Sequence, residues 1–295
     1  MLSLKTQHFN AYWRLMRADR PIGSYLLLWP TMWSVFLSSY QLSGTGVPPI
    51  DIICIFVMGV FLMRSAGCVI NDYADRNFDG SVERTKSRPL ATGEISEKEA
   101  LQLFSILIGL SFILVLQLNW QTILLSVVAL LLASVYPFMK RHTHFPQVVL
   151  GAAYSWSIPM AAMAILETVP YWAWVLYFAN LLWTVAYDTQ YAMVDRDDDL
   201  KIGIKSTAVL FGKYDLLIIA ILQTSCALML AGVFWYFTLT WPAYLGLGLG
   251  YLLFIRQWIS TKNRDRDACF QAFLNNHIAG MCIGIGVMIS VIFSL

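Results

Sequence analysis

Charge is what this 295-residue sequence has least of: 13% of its residues are Asp, Glu, Lys or Arg, against about 25% in an average soluble domain. Hydrophobic residues make up 58%. That balance excludes a disordered chain, a nucleic-acid binder built on a basic face, and most cytosolic enzymes. Cysteine is sparse and unpatterned. The five thiols (Cys54, Cys68, Cys226, Cys269, Cys282) have no CxxC or other ligand spacing, so they read as small packing hydrophobes. The four histidines (His8, His142, His144, His277) show no ligand spacing either. Residues 1–20 lack an apolar core and a cleavage site, so the first apolar run is expected to be a retained anchor and not a removed leader.

Position says more than the total. No Asp, Glu, Lys or Arg occurs in 21–50, 100–139, 142–166, 168–187, 216–255 or 268–295. A helix needs about 20 apolar residues to cross a bilayer, so each 40-residue gap holds a helical pair. The pattern predicts an all-α polytopic membrane protein of nine spans, at about 21–40, 50–71, 100–118, 121–139, 147–166, 170–189, 215–237, 241–259 and 276–295. Apart from Arg64, in the middle of the second span, and Arg256, in the last turn of the eighth, every Lys and Arg precedes the first span or follows an even-numbered one. By the positive-inside rule this predicts a cytoplasmic N-terminus and a periplasmic C-terminus.

The acidic residues are as unevenly placed. Of 18, seven fall in 72–99 and five in 188–199. The first group opens Asn71-Asp72-x-x-Asp75-x-x-x-Asp79; the second runs Asp188, Asp195, Asp197, Asp198, Asp199. If the helices continue through them, Arg64, Asn71 and Asp75 share one face, and Asp188, Asp195 and Asp199 form one stripe. Carboxylates so close repel, and each is costly to keep ionised near hydrocarbon. Mg²⁺ resolves the conflict, because it takes hard carboxylate oxygens and keeps positions open for substrate phosphates. Two such clusters, each followed by a basic loop, suit a diphosphate. A shift of 120 residues overlays Asp75 on Asp195 and Asp79 on Asp199, a weak repeat of a four-helix unit within a single domain spanning 1–295. A cation-coupled transporter also uses paired carboxylates, but more often at the midplane than at one interface.

The Asn71–Asp79 motif resembles the NDxxDxxxD signature of the UbiA-type intramembrane prenyltransferases, and Tyr187–Asp199 resembles their second aspartate-rich motif. Arg20-Pro-Ile-Gly23, Tyr136-Pro-Phe-Met-Lys-Arg141 and Pro146-Gln147 are similar to the bacterial members that prenylate 4-hydroxybenzoate for ubiquinone. The resemblance implies helices around a central cavity in the bacterial inner membrane, with the active site on the cytoplasmic side. It implies Mg²⁺-dependent transfer of a polyprenyl group from its diphosphate to the carbon ortho to the phenol; another aromatic acceptor, such as a naphthoate, is the alternative. Asp72, Asp75 and Asp79 would hold one Mg²⁺, and Asp195, Asp199 and Asp188 the other. Asn71, Arg84, Arg88, Lys140 and Lys205 would serve the diphosphate. For the benzoate carboxylate Arg141 is the first choice and Arg64 the second, with Tyr136 beside the ring. Asp72, Asp75, Asp195 and Arg141 are the expected catalytic set. No nucleic-acid partner is expected.

Overall fold

The computed structural model describes residues 3–77, 79–81 and 84–293, and among these all regular structure is helical. In chain order the α-helices are α1 (Phe9–Leu15), α2 (Ile22–Ser43), α3 (Ile50–Asp75), α4 (Glu97–Val115), α5 (Trp120–Met139), α6 (Pro146–Ser155), α7 (Ser157–Leu166), α8 (Tyr171–Ile202), α9 (Thr207–Phe211), α10 (Asp215–Tyr236), α11 (Trp241–Ser260) and α12 (Arg266–Ile292). Among the described residues six stretches are long and apolar enough to cross a membrane: α3, α4, α5, α6 with α7, α9 with α10, and α12. This makes the chain a multi-pass membrane protein. The other three expected spans are helical too, as α2, α8 and α11. α2 and α11 carry Trp, Tyr, Ser and Gly, and α8 carries Trp, Tyr, Asn and Asp, residues that lower their hydropathy.

Local chemistry fixes the ends. Ser96 and Glu99 form a reciprocal capping box that starts α4. Asn119 caps α5 through Thr122 N (2.9 Å) and also donates to the Met163 carbonyl (2.8 Å), tying α5 to the end of α7. Gly44 and Gly203 end α2 and α8 in the left-handed region (φ 71° and 75°), where a Cβ would be strained.

Several boundaries differ from expectation. α8 does not stop near residue 189 but continues as one 32-residue helix to Ile202, because its last turns find ion-pair partners in Arg84, Asp215 and Arg266. α3 ends at Asp75, so Asp79 is not on its face but opens a 3₁₀ turn, Asp79–Ser81. α12 starts ten residues before the expected 276, capped by Asp265. The expected fifth span is broken at Trp156 into α6 and α7. The short α1 was not foreseen; it buries Ala11, Tyr12 and Leu15 in a cluster with α3 and α4 residues.

The main core joins α2, α7, α8, α10, α11 and α12, with Trp33 stacked on Trp183 (centroids 5.7 Å apart). The glycines of α12 and α11 divide by use. Gly246 and Gly250 lie against α12, as helix-packing positions should, whereas open space surrounds Gly248. Gly280 and Gly284 instead seat the rings of Trp29, Trp33 and Trp183. A buried amide ladder crosses the same core: Trp183 Nε1 donates to Asn276 Oδ1 (2.9 Å), Asn276 Nδ2 to Gln190 Oε1 (3.0 Å), and Gln190 and Gln223 Nε2 both to Gln257 Oε1 (3.1 and 3.0 Å). Interhelical bonds of this kind contribute about 0.6 kcal/mol each. The ladder therefore fixes register more than it adds stability.

Candidate active site

Both aspartate motifs arrive at one end of the bundle. α3 carries Asn71, Asp72 and Asp75 on its last turns, and α8 carries Asp188, Asp195 and Asp199 on its last four. The loop between α3 and α4 bridges them. From it, Arg84 grips Asp195 (Nε–Oδ1 3.1 Å, Nη2–Oδ2 2.5 Å) and donates to the Tyr191 hydroxyl, with its guanidinium 4.4 Å from that ring's centroid. Arg88 reaches Asp72 (3.0 Å) and Asp79 (2.9 Å) from a single Nη1. Lys140, just after α5, pairs with Asp75. Arg17, between α1 and α2, pairs with Asp72 (2.8 Å). Of the six aspartates, all but Asp195 are buried.

Burying so many charges is not an efficient way to gain stability. Ion pairs removed from water roughly repay their desolvation and no more, so the arrangement points to use. The loop groups show the balance. Burial raises the pKa of Asp79, Arg88 opposes the shift, and Asp72 and Asp75 add to it. Burial works against the charge of Arg84, yet Tyr191 and Asp195 hold its pKa above the ordinary value.

Two cavities meet here. The smaller, about 130 Å³, is lined by Asp75, Asp79, Asp188, Asp195 and Asp199 together with Lys140, Lys205 and Gln147. The larger, about 840 Å³, begins at Arg17, Asp72 and Arg88 and continues between α2, α3, α4, α5 and α8 past Val60 and Phe56 to Ile55. From Asp72 to Ile55 is roughly 26 Å along α3 at 1.5 Å per residue, close to the ~30 Å hydrocarbon thickness. Asn71, Arg84, Arg88, Tyr136, Asp188 and Tyr191 line both cavities.

Arg64 lies inside the larger cavity, about 12 Å from Asp72 along α3. It donates to Cys68 Sγ (2.6 Å) and its guanidinium lies 5.9 Å from the Tyr154 ring centroid. Its Nε is buried with no hydrogen-bond partner among the described residues. Gly23 of α2 makes the room, since a Cβ there would fall 2.5 Å from that Nε. A guanidinium facing an apolar cavity with a thiol as its hydrogen-bond acceptor is suited to an anion from outside the chain.

Of the residues expected from sequence, the structure brings Asn71, Asp72, Asp75, Asp79, Asp188, Asp195, Asp199, Arg84, Arg88, Lys140, Lys205, Tyr136 and Arg64 to the walls of these two cavities. It does not bring Arg141, which is exposed, donates to the Ala74 carbonyl and lies against the Phe138 ring. Sequence reasoning missed Arg17, which it used only for orientation, and Cys68, Tyr154 and Gly23. Cys68 was legible in one respect, four residues after Arg64 on the same helix face. The six aspartates are a hard oxygen donor set that fits Mg²⁺. Among the described residues no three ligating side chains yet converge as a finished metal site; Asp72, Asp75, Asp79 and Asp195 hold Arg or Lys instead.

An apolar cavity nearly a bilayer deep, headed by carboxylates and cations, has the shape and charge to suit an amphiphile with an anionic head. The chain belongs to the UbiA prenyltransferase family, which it matches over residues 27–280. It is 61% identical over 278 residues to a 4-hydroxybenzoate octaprenyltransferase of Pseudoalteromonas atlantica, covering 94% of this chain and 96% of that one. It is 57% identical over 288 residues to the same-named protein of Cronobacter sakazakii, covering 98% of each. Its fold is similar to that of a UbiA homolog from Aeropyrum pernix K1 (TM-score 0.77, 24% identity, 90% of this chain and 97% of that one). It is also similar to a UbiA homolog from Archaeoglobus fulgidus bound to GPP and Mg²⁺ (TM-score 0.67, 19% identity, 94% and 99%).

Proposed function

We propose that this protein transfers a polyprenyl group from polyprenyl diphosphate to the ring carbon ortho to the hydroxyl of 4-hydroxybenzoate, releasing diphosphate, in ubiquinone synthesis. High identity over nearly the whole of both chains to proteins of that name supports the reaction. The observation that carries it is the continuity of a charged chamber with an apolar cavity that also contains Arg64.

Asp72, Asp75 and Asp79 would hold one Mg²⁺, and Asp195, Asp199 and Asp188 a second. Bound there, Mg²⁺ supplies the positive charge that stabilises diphosphate as a leaving group. Arg17, Arg84, Arg88, Lys140 and Lys205, the first four of them now on carboxylates, turn to the diphosphate oxygens through charge-assisted hydrogen bonds. Asn71 adds an amide at the same wall. The prenyl chain lies along the apolar cavity toward Ile55. Tyr136, Tyr154 and Tyr191, which line the larger cavity, would shield the cationic allylic carbon as its C–O bond breaks. Arg64 holds the benzoate carboxylate, which aims the electron-rich ring back toward the charged chamber. Arg141, our first choice from sequence, lies outside both cavities and so gives way to Arg64 in this reading.

We read the whole chain as one domain and α2, α8 and α11 as spans beside the six apolar ones, giving nine in all. The basic residues then place the aspartates and the N-terminus on the cytoplasmic side of the inner membrane. The test is to incubate membranes containing the protein with labelled polyprenyl diphosphate, 4-hydroxybenzoate and Mg²⁺. A labelled 3-polyprenyl product that disappears with EDTA and returns with Mg²⁺ is expected. No product from a folded preparation overturns the proposal.

A further inference from the structure

We infer that Asp215, which touches neither cavity, is a positioning residue for the second aspartate cluster. It opens α10 and is completely buried. Its carboxylate accepts from Arg196 Nη2 of α8, from Arg264 Nε (3.0 and 3.1 Å) and Nη2 (2.8 Å), and from the Leu216 amide (2.6 Å). Arg264 belongs to the α11–α12 connection and adopts φ 57°, in the left-handed region. Few residues other than glycine take that conformation without cost, and here it brings the guanidinium onto Asp215 and the Lys213 carbonyl (2.9 Å). One buried carboxylate thus ties α8, α10 and the start of α12.

The place where it grips α8 is what gives it a role. Arg196 directly follows Asp195. At 3.6 residues per turn, Asp195 and Asp199 lie about 40° apart on the helix, while Arg196 lies about 100° round from Asp195. Asp197 and Asp198, about 200° and 300° round from Asp195, are both met by Arg266 of α12 (3.3 and 3.4 Å). These turns carry four carboxylates within five residues, which repel, and they extend past the apolar part of the helix. The pair of anchors behind them fixes the rotation of α8, so that Asp195 and Asp199 face Arg84 and the smaller cavity. Without Asp215, Arg196 and Arg264 lose their shared acceptor, and the helix end is free to turn.

This rests on the reading that Asp195 and Asp199 hold a divalent cation, and the experiment separates the two. Mn²⁺ binding to the full-length protein in detergent, with inorganic diphosphate present, is followed by electron paramagnetic resonance; the melting temperature is measured alongside. Asp215→Asn is expected to raise the half-saturating Mn²⁺ concentration by about tenfold or more, the range seen when support of a metal ligand is lost. Asp215→Glu is expected to recover part of that loss. Arg264→Ala, which keeps the Asp215–Arg196 pair, is expected to shift it in the same direction by less. A folded Asp215→Asn protein with wild-type Mn²⁺ affinity overturns the inference, as does wild-type affinity in Arg264→Ala if Asp215→Asn does not fold. Unchanged Mn²⁺ binding in Asp195→Ala overturns the metal assignment beneath it.

Discussion

Replacing Arg64 by Met tests the acceptor half of the site in isolation. The guanidinium faces the larger cavity with Cys68 as its hydrogen-bond acceptor and a buried Nε that has no partner among the described residues. Met keeps most of the side-chain volume and removes the charge. Truncating one partner of a buried charge pair costs about 2–5 kcal/mol, much of it from leaving the other charge unpaired. At 1.4 kcal/mol per tenfold, the lower bound is a roughly 30-fold rise in KM for 4-hydroxybenzoate. The protein itself should not lose stability, because a buried cation with so weak a partner is expensive to keep. The assay is initial-rate prenyl transfer with 4-hydroxybenzoate varied at saturating prenyl diphosphate. Phenol, which lacks the carboxylate, serves as the control acceptor. The expected result is a large KM rise for the acid, a small change for phenol, and an unchanged or higher Tm. A KM for the acid within about threefold of wild type would refute the role of Arg64, since even one charged hydrogen bond contributes about 1.5–3 kcal/mol.

Gly23→Ala should act on the same subsite indirectly: a Cβ falls 2.5 Å from Arg64 Nε, so the guanidinium is displaced, and KM for 4-hydroxybenzoate rises with little change in Tm. Unaltered kinetics in that variant would show that the Gly23–Arg64 contact does not matter. Asp75→Ala and Asp195→Ala should each abolish turnover while the protein still inserts in membranes, measured by product formation beside immunodetection; near-normal activity in either rejects the two-cluster site. Arg17→Ala should chiefly raise the KM for prenyl diphosphate, by about tenfold for one charge-assisted bond, because Arg17 meets Asp72 at the mouth of the larger cavity. A matching rise in the KM for the aromatic acid would instead place Arg17 in the acceptor subsite.

Much of the site was legible because the surroundings are apolar. Where charge is so costly, a carboxylate that persists near hydrocarbon has a use, and helical spacing alone put Arg64, Asn71 and Asp75 on one face. Arg17 was hidden for the converse reason. It sits in a basic N-terminal stretch where every cation also serves orientation, so its type and place carry no further signal. The ranking of Arg141 over Arg64 came from motif resemblance, and a motif does not say which way a side chain turns at the end of α5. The three expected spans that fall short by hydropathy illustrate the same gap. α2, α8 and α11 are helical close to where the sequence placed them, and Trp33, Trp183, Tyr187 and Gly246 among their residues pack against other helices, neighbours that cannot be read from one strand of residues.

The sequence by itself determined the class of environment, the helical architecture and the carboxylate chemistry, since each follows from local composition and a period of 3.6. Tertiary structure decided how the charges are shared. Only packing brings Arg84 across 111 positions to Asp195, opens the space at Gly23 that Arg64 fills, and sorts Asp195 and Asp199 from Arg196 and the two acids between them by anchoring one residue to α10 and its neighbours to α12. A run of like charges on a helix has no preferred direction until partners on other helices supply one.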